Sequence, residues 1–394
     1  MASFDVIVIG AGVIGTSVAF HLAQLGAQRV LVLERLQVGA GTTAQSSGIL
    51  RSHYSVPHNV ELARRSWATF KNFAQVVDDD AASAGLVQCG YLIAAPEGPR
   101  LEPLRSALAA QQACGIPVQL LSRDAAGQRL PICRFDDAQL IGFEPDAGFA
   151  DAYLVATGFA RAARRRGVRF AEGVEVRQLL RLQGRVVGVE TSSGSFHAPL
   201  VISAQNIWAA EIERWTGIAM PVRAERHRVF ALQGPLPYTF DMPVYKDLGS
   251  PGMLYCRSYG GSQMLVSEGV AGETLATPSN EPGEISLDAV AEIGAQVAQR
   301  FGSFEAAGLA SAWTGVYDVT PDWNPVLGRL PDVPGLIVAY GFSGHGFKLS
   351  PAIGKVLAQE ALGLATDVSL QPYALERFGR GRLLSGGYGP GAVS

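Results

Sequence analysis

Phe4-Asp5-Val6-Ile7-Val8-Ile9-Gly10-Ala11-Gly12-Val13-Ile14-Gly15 opens the chain, and Glu34 follows a second apolar run at residues 29–33. Residues 4–9 are short, apolar and β-branched, the pattern of a strand buried in a parallel sheet. A helix is expected to run to Leu25, with Ile14, Val18, Leu22 and Leu25 on one face and Gly26 as its stop. The glycines recur as Gly-x-Gly-x-x-Gly. Gly10 permits the tight turn, Gly12 lets a backbone approach a pyrophosphate, and Gly15 lets helix and strand pack closely. The helix N-terminus offers amide donors and a partial positive charge to phosphates. Glu34 can accept both hydroxyls of an adenosine ribose, which favours a nucleotide without a 2′-phosphate. This βαβ unit reads as a dinucleotide site, and it does not choose between NAD and FAD.

A chain of 394 residues makes two domains the natural expectation. Hydrophobic residues at 48% against 17% charged residues indicate a packed protein rather than disorder. The 32 basic and 35 acidic residues leave a net charge of −3, which excludes a strongly basic nucleic-acid binder. Cys89, Cys114, Cys133 and Cys256 form no Cys-x-x-Cys pair, and His21, His53, His58, His197, His227 and His345 show no metal-ligand spacing. No metal is expected, and a reducing, cytoplasmic compartment is. Residues 6–25 approach the length of a membrane span, but Asp5 precedes them, three glycines interrupt them, and His21 and Gln24 lie inside. No integral membrane span is expected.

Residues 39–55 read as a loop rich in Gly, Thr and Ser. Helices are expected over 59–77, 100–115, 151–166 and 287–300, with Arg164, Arg165 and Arg166 as a solvated helix end. Strands are expected over 87–94, 169–172, 175–182, 186–191 and 201–204, and through the Gly- and Pro-punctuated stretch 229–266. An α/β pattern returns with a strand over 336–339 and a helix from Pro351 to residue 362. The Gly-rich tail from Arg377 onward reads as mobile. No repeat or linker stands out, which favours two interleaved parts.

The turn between those last two elements is Gly341-Phe342-Ser343-Gly344-His345-Gly346-Phe347-Lys348-Leu349-Ser350-Pro351. Three glycines within residues 341–346 exceed what a turn needs. They suit a loop whose backbone N–H groups press against a flat ligand.

With these pieces in hand, the chain resembles the D-amino-acid oxidase superfamily of flavoproteins. It is most similar to the sarcosine oxidase, glycine oxidase and dimethylglycine dehydrogenase branch. The matching segments are the βαβ unit with Glu34, residues 41–51, residues 313–322 and residues 341–351, so the resemblance covers the whole length. It implies FAD rather than NAD. It also implies an α/β (α+β overall) fold in two interleaved domains. A Rossmann-like FAD-binding domain would take residues 1–84, 146–220 and 312–394. A substrate domain on an antiparallel β-sheet would take 85–145 and 221–311. Cofactor contacts are implied for Gly10, Gly12, Val13, Ile14, Gly15, Glu34, Arg35, Thr42, Thr43, Ser46, Ser47, Gly48, Val174, Gly315, Gly344, His345, Gly346, Phe347 and Lys348.

The resemblance further implies that Arg51 and Lys348 hold a substrate carboxylate over the flavin, with Tyr255 lining the pocket. The residues agree with it. Both cations stand in apolar settings, Ile49-Leu50-Arg51 and Phe347-Lys348-Leu349. Two cations brought together away from water repel each other and lose hydration, and an anionic ligand offsets both costs. His345 could place a positive end near the flavin, and His227 has no assigned role.

Two departures from the family stand out. Gly315 and Gln45 occupy the places of the Cys and His that tether flavin in some relatives, so non-covalent FAD is expected. In monomeric sarcosine oxidase a lysine above the flavin promotes reaction with oxygen. The strand that matches, Gln263-Met264-Leu265-Val266, has no basic residue, so an acceptor other than oxygen is favoured. The expected reaction is oxidation of an amino acid, with a secondary or tertiary amine, to an imine that water hydrolyses. The rival readings are oxidation of a 2-hydroxy acid or polyol phosphate on the same fold, an NAD-dependent dehydrogenase, and a non-enzymatic FAD-binding module. The oligomeric state stays open.

Overall fold

A computed structural model describes residues 3–234 and 242–384 of the chain. Its first layer is a six-stranded sheet in the order Val326–Arg329, Leu336–Tyr340, Leu200–Ser203, Val6–Ile9, Val30–Glu34, Arg169–Glu172. All pairs are parallel except Val326–Arg329 with Leu336–Tyr340. Val6–Ile9 lies between Leu200–Ser203 and Val30–Glu34, which is why its residues are apolar on both faces. Helix Val13–Gln24 packs on this sheet between helices Ala152–Arg165 and Gly346–Ala361. Close approach depends on small residues: a Cβ added to Gly354 would strike Ser17. Asp151 caps helix Ala152–Arg165 by accepting the N–H groups of Tyr153 and Leu154, both at 2.9 Å. A three-stranded antiparallel sheet, Val176–Leu182, Arg185–Thr191 and Gly194–His197, covers the opposite face with Leu179, Val186 and Val189.

The second layer is a nine-stranded sheet in the order Glu273–Leu275, Arg223–Gln233, Gln263–Ser267, Tyr255–Ser258, Val244–Asp247, Tyr91–Pro96, Ala138–Glu144, Gln119–Leu120. Gly308–Val319 also pairs with Arg223–Gln233, from Val319 opposite Arg223 to Gly308 opposite Gln233. One face packs on helices Leu287–Arg300 and Arg123–Arg129 through Leu92, Ile141, Phe143, Phe230, Tyr245, Cys256 and Val266. The alternate residues Tyr91, Ile93, Val244 and Tyr255 join the core shared with the first layer. Lys246 alternates with Tyr245 and therefore stands on this second face. The two layers share this core, and the site is lined by residues of both.

Several sequence expectations are corrected. The helix expected over 59–77 breaks at Asn72 into Pro57–Lys71 and Phe73–Val77, because Asn72 leaves the helical range (φ −117, ψ 34) and turns its side chain onto the Ala68 carbonyl. The last helix starts at Gly346, not at Pro351. Pro351 is tolerated inside it because Ser350 Oγ donates to the Phe347 carbonyl at 2.8 Å, the acceptor that a proline nitrogen cannot serve. Residues 377–384 are anchored rather than mobile: Arg377 and Asp322 form a buried ion pair at 2.7 Å, and Leu384 N–H donates to the same carboxylate. The expectation for residues 385–394 lies outside the described residues. The arginines ending helix Ala152–Arg165 are half-engaged, with Arg164 on Glu172 and Arg165 on Asp79 and the Val77 carbonyl.

Candidate active site

A cavity of about 600 Å³ opens at the C-terminal ends of the parallel strands and runs to the second sheet. The glycine fingerprint forms its floor. Gly10 has φ +97, and a Cβ there would lie 2.6 Å from the Ala204 carbonyl oxygen. A Cβ on Gly15 would collide with the Gly10 carbonyl, so Gly15 serves the packing beneath the cavity and does not line it. Gly10, Gly12, Val13 and Ile14 do line it, at a helix N-terminus with no side-chain cap. Val13 N–H donates to Thr43 Oγ1 at 3.0 Å. That end of the helix is suited to phosphates.

At one end of the cavity, Glu34 Oε2 accepts Ala11 N–H and Oε1 accepts Leu36 N–H, both at 2.8 Å. Val174 N–H donates to the Glu34 carbonyl at 2.9 Å, which fixes a flat backbone edge beside the carboxylate. The Arg35 guanidinium stacks 3.7 Å from the Trp208 ring centroid, and both line the wall. Thr42 Oγ1 meets Asn206 Oδ1 at 3.1 Å in the next stretch. Ser46 and Ser47 also line the cavity, whereas Gly48 lies outside it and presses its backbone onto Ala150. Gln45 is a cross-link that sequence reasoning treated only as a missing tether. Its Nε2 donates to the Asn280 carbonyl at 2.9 Å and its Oε1 accepts Val316 N–H at 3.1 Å.

Gly315, Gly344, Gly346, Phe347 and Lys348 line the other end. Asp318 shapes that loop by accepting Gly341 N–H at 2.6 Å, and burial pushes its carboxyl up to about 7. A Cβ on Gly344 would come within 2.6 Å of the Tyr317 ring, and that ring stacks on His227 at 4.1 Å between centroids. His345 does not line the cavity. It meets the edge of Tyr54 at 5.2 Å, and both ring nitrogens are buried without a hydrogen-bond partner among the described residues. Burial and the charges of Lys348 and Arg51 hold it well below the usual imidazole range, so a cationic His345 at the flavin is not what the site offers.

Lys348 follows directly in the first turn of its helix, with Nζ donating to the Gly344 carbonyl at 3.2 Å. Arg51 and Tyr255 lie behind the cavity wall. The Arg51 guanidinium donates to the His53 carbonyl and stands 5.0 Å from the Tyr54 ring and 5.6 Å from the Tyr91 ring. Sequence reasoning missed a further cation, Lys246, whose Nζ lies 5.5 Å from the Tyr255 ring. It sought a basic residue on Gln263–Val266. The signal that could have found Lys246 is strand alternation in Val244–Asp247, which puts it opposite Tyr255. Burial, then the charges of Arg51 and Lys246, hold the Lys348 ammonium well below its usual range. Burial and Arg51 push Lys246 down to about 7. Glu144 accepts Ser52 N–H at 2.7 Å and Gln111 Nε2 at 3.3 Å, yet burial pushes it up to about 7. Gln111 Oε1 meets His53 Nδ1 at 2.6 Å, which completes a buried support for Arg51.

These residues fit an FAD molecule. A carboxylate and a flat backbone edge await the adenosine, a helix N-terminus with Thr43 on its first N–H awaits the pyrophosphate, and a glycine loop leading to a lysine awaits the flavin ring. Among the described residues, no helix is long and apolar enough to cross a membrane.

The chain is similar to known proteins along most of its length. The chain is similar to 4-methylaminobutanoate oxidase (formaldehyde-forming) of Paenarthrobacter nicotinovorans, 27% identical over 94% of this chain and 45% of that protein. It is similar to sarcosine oxidase subunit beta of Rhizobium meliloti (strain 1021), 26% identical over 97% of this chain and 90% of that one. Among solved structures, L-proline dehydrogenase from P. horikoshii superposes with a TM-score of 0.88 at 25% identity, covering 97% of this chain and 99% of its own. The chain thus spans less than half of the first relative and nearly all of the other two. The profile of the family described as DAO, FAD dependent oxidoreductase, matches residues 5–360, and the chain belongs to that FAD-dependent family.

Proposed function

We propose that this protein oxidises the amine of an amino acid, one bearing an N-alkyl group, with FAD held non-covalently in the cavity. The observation that carries the reading is that Arg51 and Lys348, each less than a tenth exposed, flank the glycine loop: Arg51 lies 5.0 Å from the Tyr54 ring, whose edge meets His345 of that loop at 5.2 Å. A carboxylate seated there neutralises two cations that have lost their water, and Arg51 can grip it with two parallel bonds. When bound, FAD supplies a two-electron acceptor. The chain's part is positioning: the carboxylate fixes one end of the substrate, and the aromatic wall of Phe347 and Tyr317, backed by the buried Tyr255, excludes water. Among the described residues no side chain is assigned as a general base, so the amine must arrive neutral.

The names of the relatives support an amine substrate. Non-covalent binding is supported by Gly315 and Gln45, since neither can form a bond to flavin. The two sheets support two interleaved domains with the boundaries expected from sequence, except that Gly308–Val319 runs across residue 312 as one strand. Cys89, Cys114, Cys133 and Cys256 form no disulfide with one another, which is compatible with a reducing, cytoplasmic setting. The test is anaerobic flavin bleaching by a panel of N-methyl amino acids, primary amino acids and 2-hydroxy acids. Bleaching by N-methyl amino acids is the expected result, and bleaching by hydroxy acids alone overturns it. Oxygen and dye acceptors, compared on the bleached protein, identify the oxidant.

A further inference from the structure

The clamp that holds one carboxylate leaves a positive charge over. Lys246 is 3% exposed, and its Nζ has no hydrogen-bond partner among the described residues. It sits in strand Val244–Asp247, opposite Tyr255 on one side and Ile93 on the other, on the face that meets Arg51 through Tyr91. Its room is made by Gly269, where a Cβ would collide with Nζ.

The neighbouring acids are engaged elsewhere. Asp247 points to the opposite face and pairs with Arg300 at 2.9 Å. Glu144 is held by Ser52 N–H and Gln111. Arg100 adds to the positive charge felt by Lys246 rather than relieving it, with its own guanidinium on the Leu248 and Ser250 carbonyls. A single carboxylate shared by Arg51 and Lys348 therefore leaves the buried Lys246 amine without a counter-charge, so that it holds its proton firmly only when a ligand carboxylate completes it.

We propose that the natural substrate carries a second carboxylate, and that Lys246 receives it while Arg51 and Lys348 hold the first. The inference rests on the amino-acid oxidation reading above. It makes the substrate a dicarboxylic N-alkyl amino acid, with the two acid groups on either side of the amine-bearing carbon.

The test uses the FAD-loaded protein and unreactive acids of matched length, glutarate against pentanoate and succinate against butyrate, titrated by their perturbation of the flavin spectrum. The expected result is at least about tenfold tighter binding of each dicarboxylate, the factor that one charge-assisted contact supplies. Lys246→Met is expected to bring the ratio of the two affinities close to one, and Lys246→Arg to retain most of it. Equal affinity of the wild type for both members of each pair overturns the proposal, whatever the variants do. An undiminished ratio in Lys246→Met overturns it as well. Wild-type protein bleached by monocarboxylic N-methyl amino acids but showing no dicarboxylate preference overturns this proposal alone. Protein bleached by no amino acid of either kind overturns the amine-oxidation reading with it.

Discussion

Arg51 owes its place to partners that leave its charge unspent. It donates to a backbone carbonyl and lies over two tyrosine rings, and neither contact carries a formal negative charge. Arg51→Ala is therefore expected to weaken carboxylate binding by more than about tenfold, or about 1.4 kcal/mol, in a flavin-perturbation titration. Lys348→Met should cause a comparable loss, and unaltered affinity in either variant removes that residue from the clamp. Glu144 behaves oppositely, since burial dominates and its folded carboxyl titrates near 7 rather than 4.5. Between those values the folded protein keeps a proton that the unfolded chain has lost. Its share of stability is complete below about 4.5 and is lost as pH rises through about 7. Melting temperatures of wild type and Glu144→Gln, compared from pH 4 upward, should show the wild type losing ground to the variant towards neutrality. A gap that does not change with pH contradicts this assignment.

The segment Gly341 to Lys348 shows how one loop joins backbone shape to charge. Asp318 fixes its entry, Tyr317 packs against Gly344, and helix Gly346–Ala361 presents Lys348 in its first turn. Gly344 has φ +80 and no space for a Cβ, so Gly344→Ala strains the backbone and pushes on the Tyr317 ring at once. The expected outcome is purified protein with a reduced flavin-to-protein ratio, read from its absorbance spectrum; full flavin content shows the loop to be more yielding than its packing indicates. The segment after that helix returns to the same region, where Arg377 and Asp322 are paired with both side chains nearly inaccessible. Removing one partner of such a pair costs about 3–5 kcal/mol. Asp322→Ala should lower the thermal midpoint of the holoprotein clearly, while exposed pairs such as Arg29 with Asp5 should tolerate the same change.

Across the molecule, chain segments far apart in sequence converge on one cavity: the fingerprint at residues 10–15, the adenosine wall at Val174, strand Gly308–Val319 and the loop before Gly346. Gln45 ties the segment Thr42–Gln45 to Asn280 and to strand Gly308–Val319 of the second sheet. Since neither Gln45 nor Gly315 offers a nucleophile, acid precipitation should leave the yellow colour in the supernatant, and colour in the pellet would refute non-covalent binding. The fingerprint, Glu34 and the glycine loop were readable from the chain because phosphate and ring contacts are made by backbone geometry, which short stretches of glycine and strand specify locally. The break at Asn72, the early start of the last helix and the anchoring of residues 377–384 were not, because each depends on a partner remote in sequence or on a side chain that overrides the usual preference. Lys246 is the clearest case. A lysine in a strand reads as solvent-facing, since water is its ordinary partner. Only the packing of one sheet face against the other layer removed that water and buried Lys246 where it feels the charge of Arg51 and adds to that felt by Lys348.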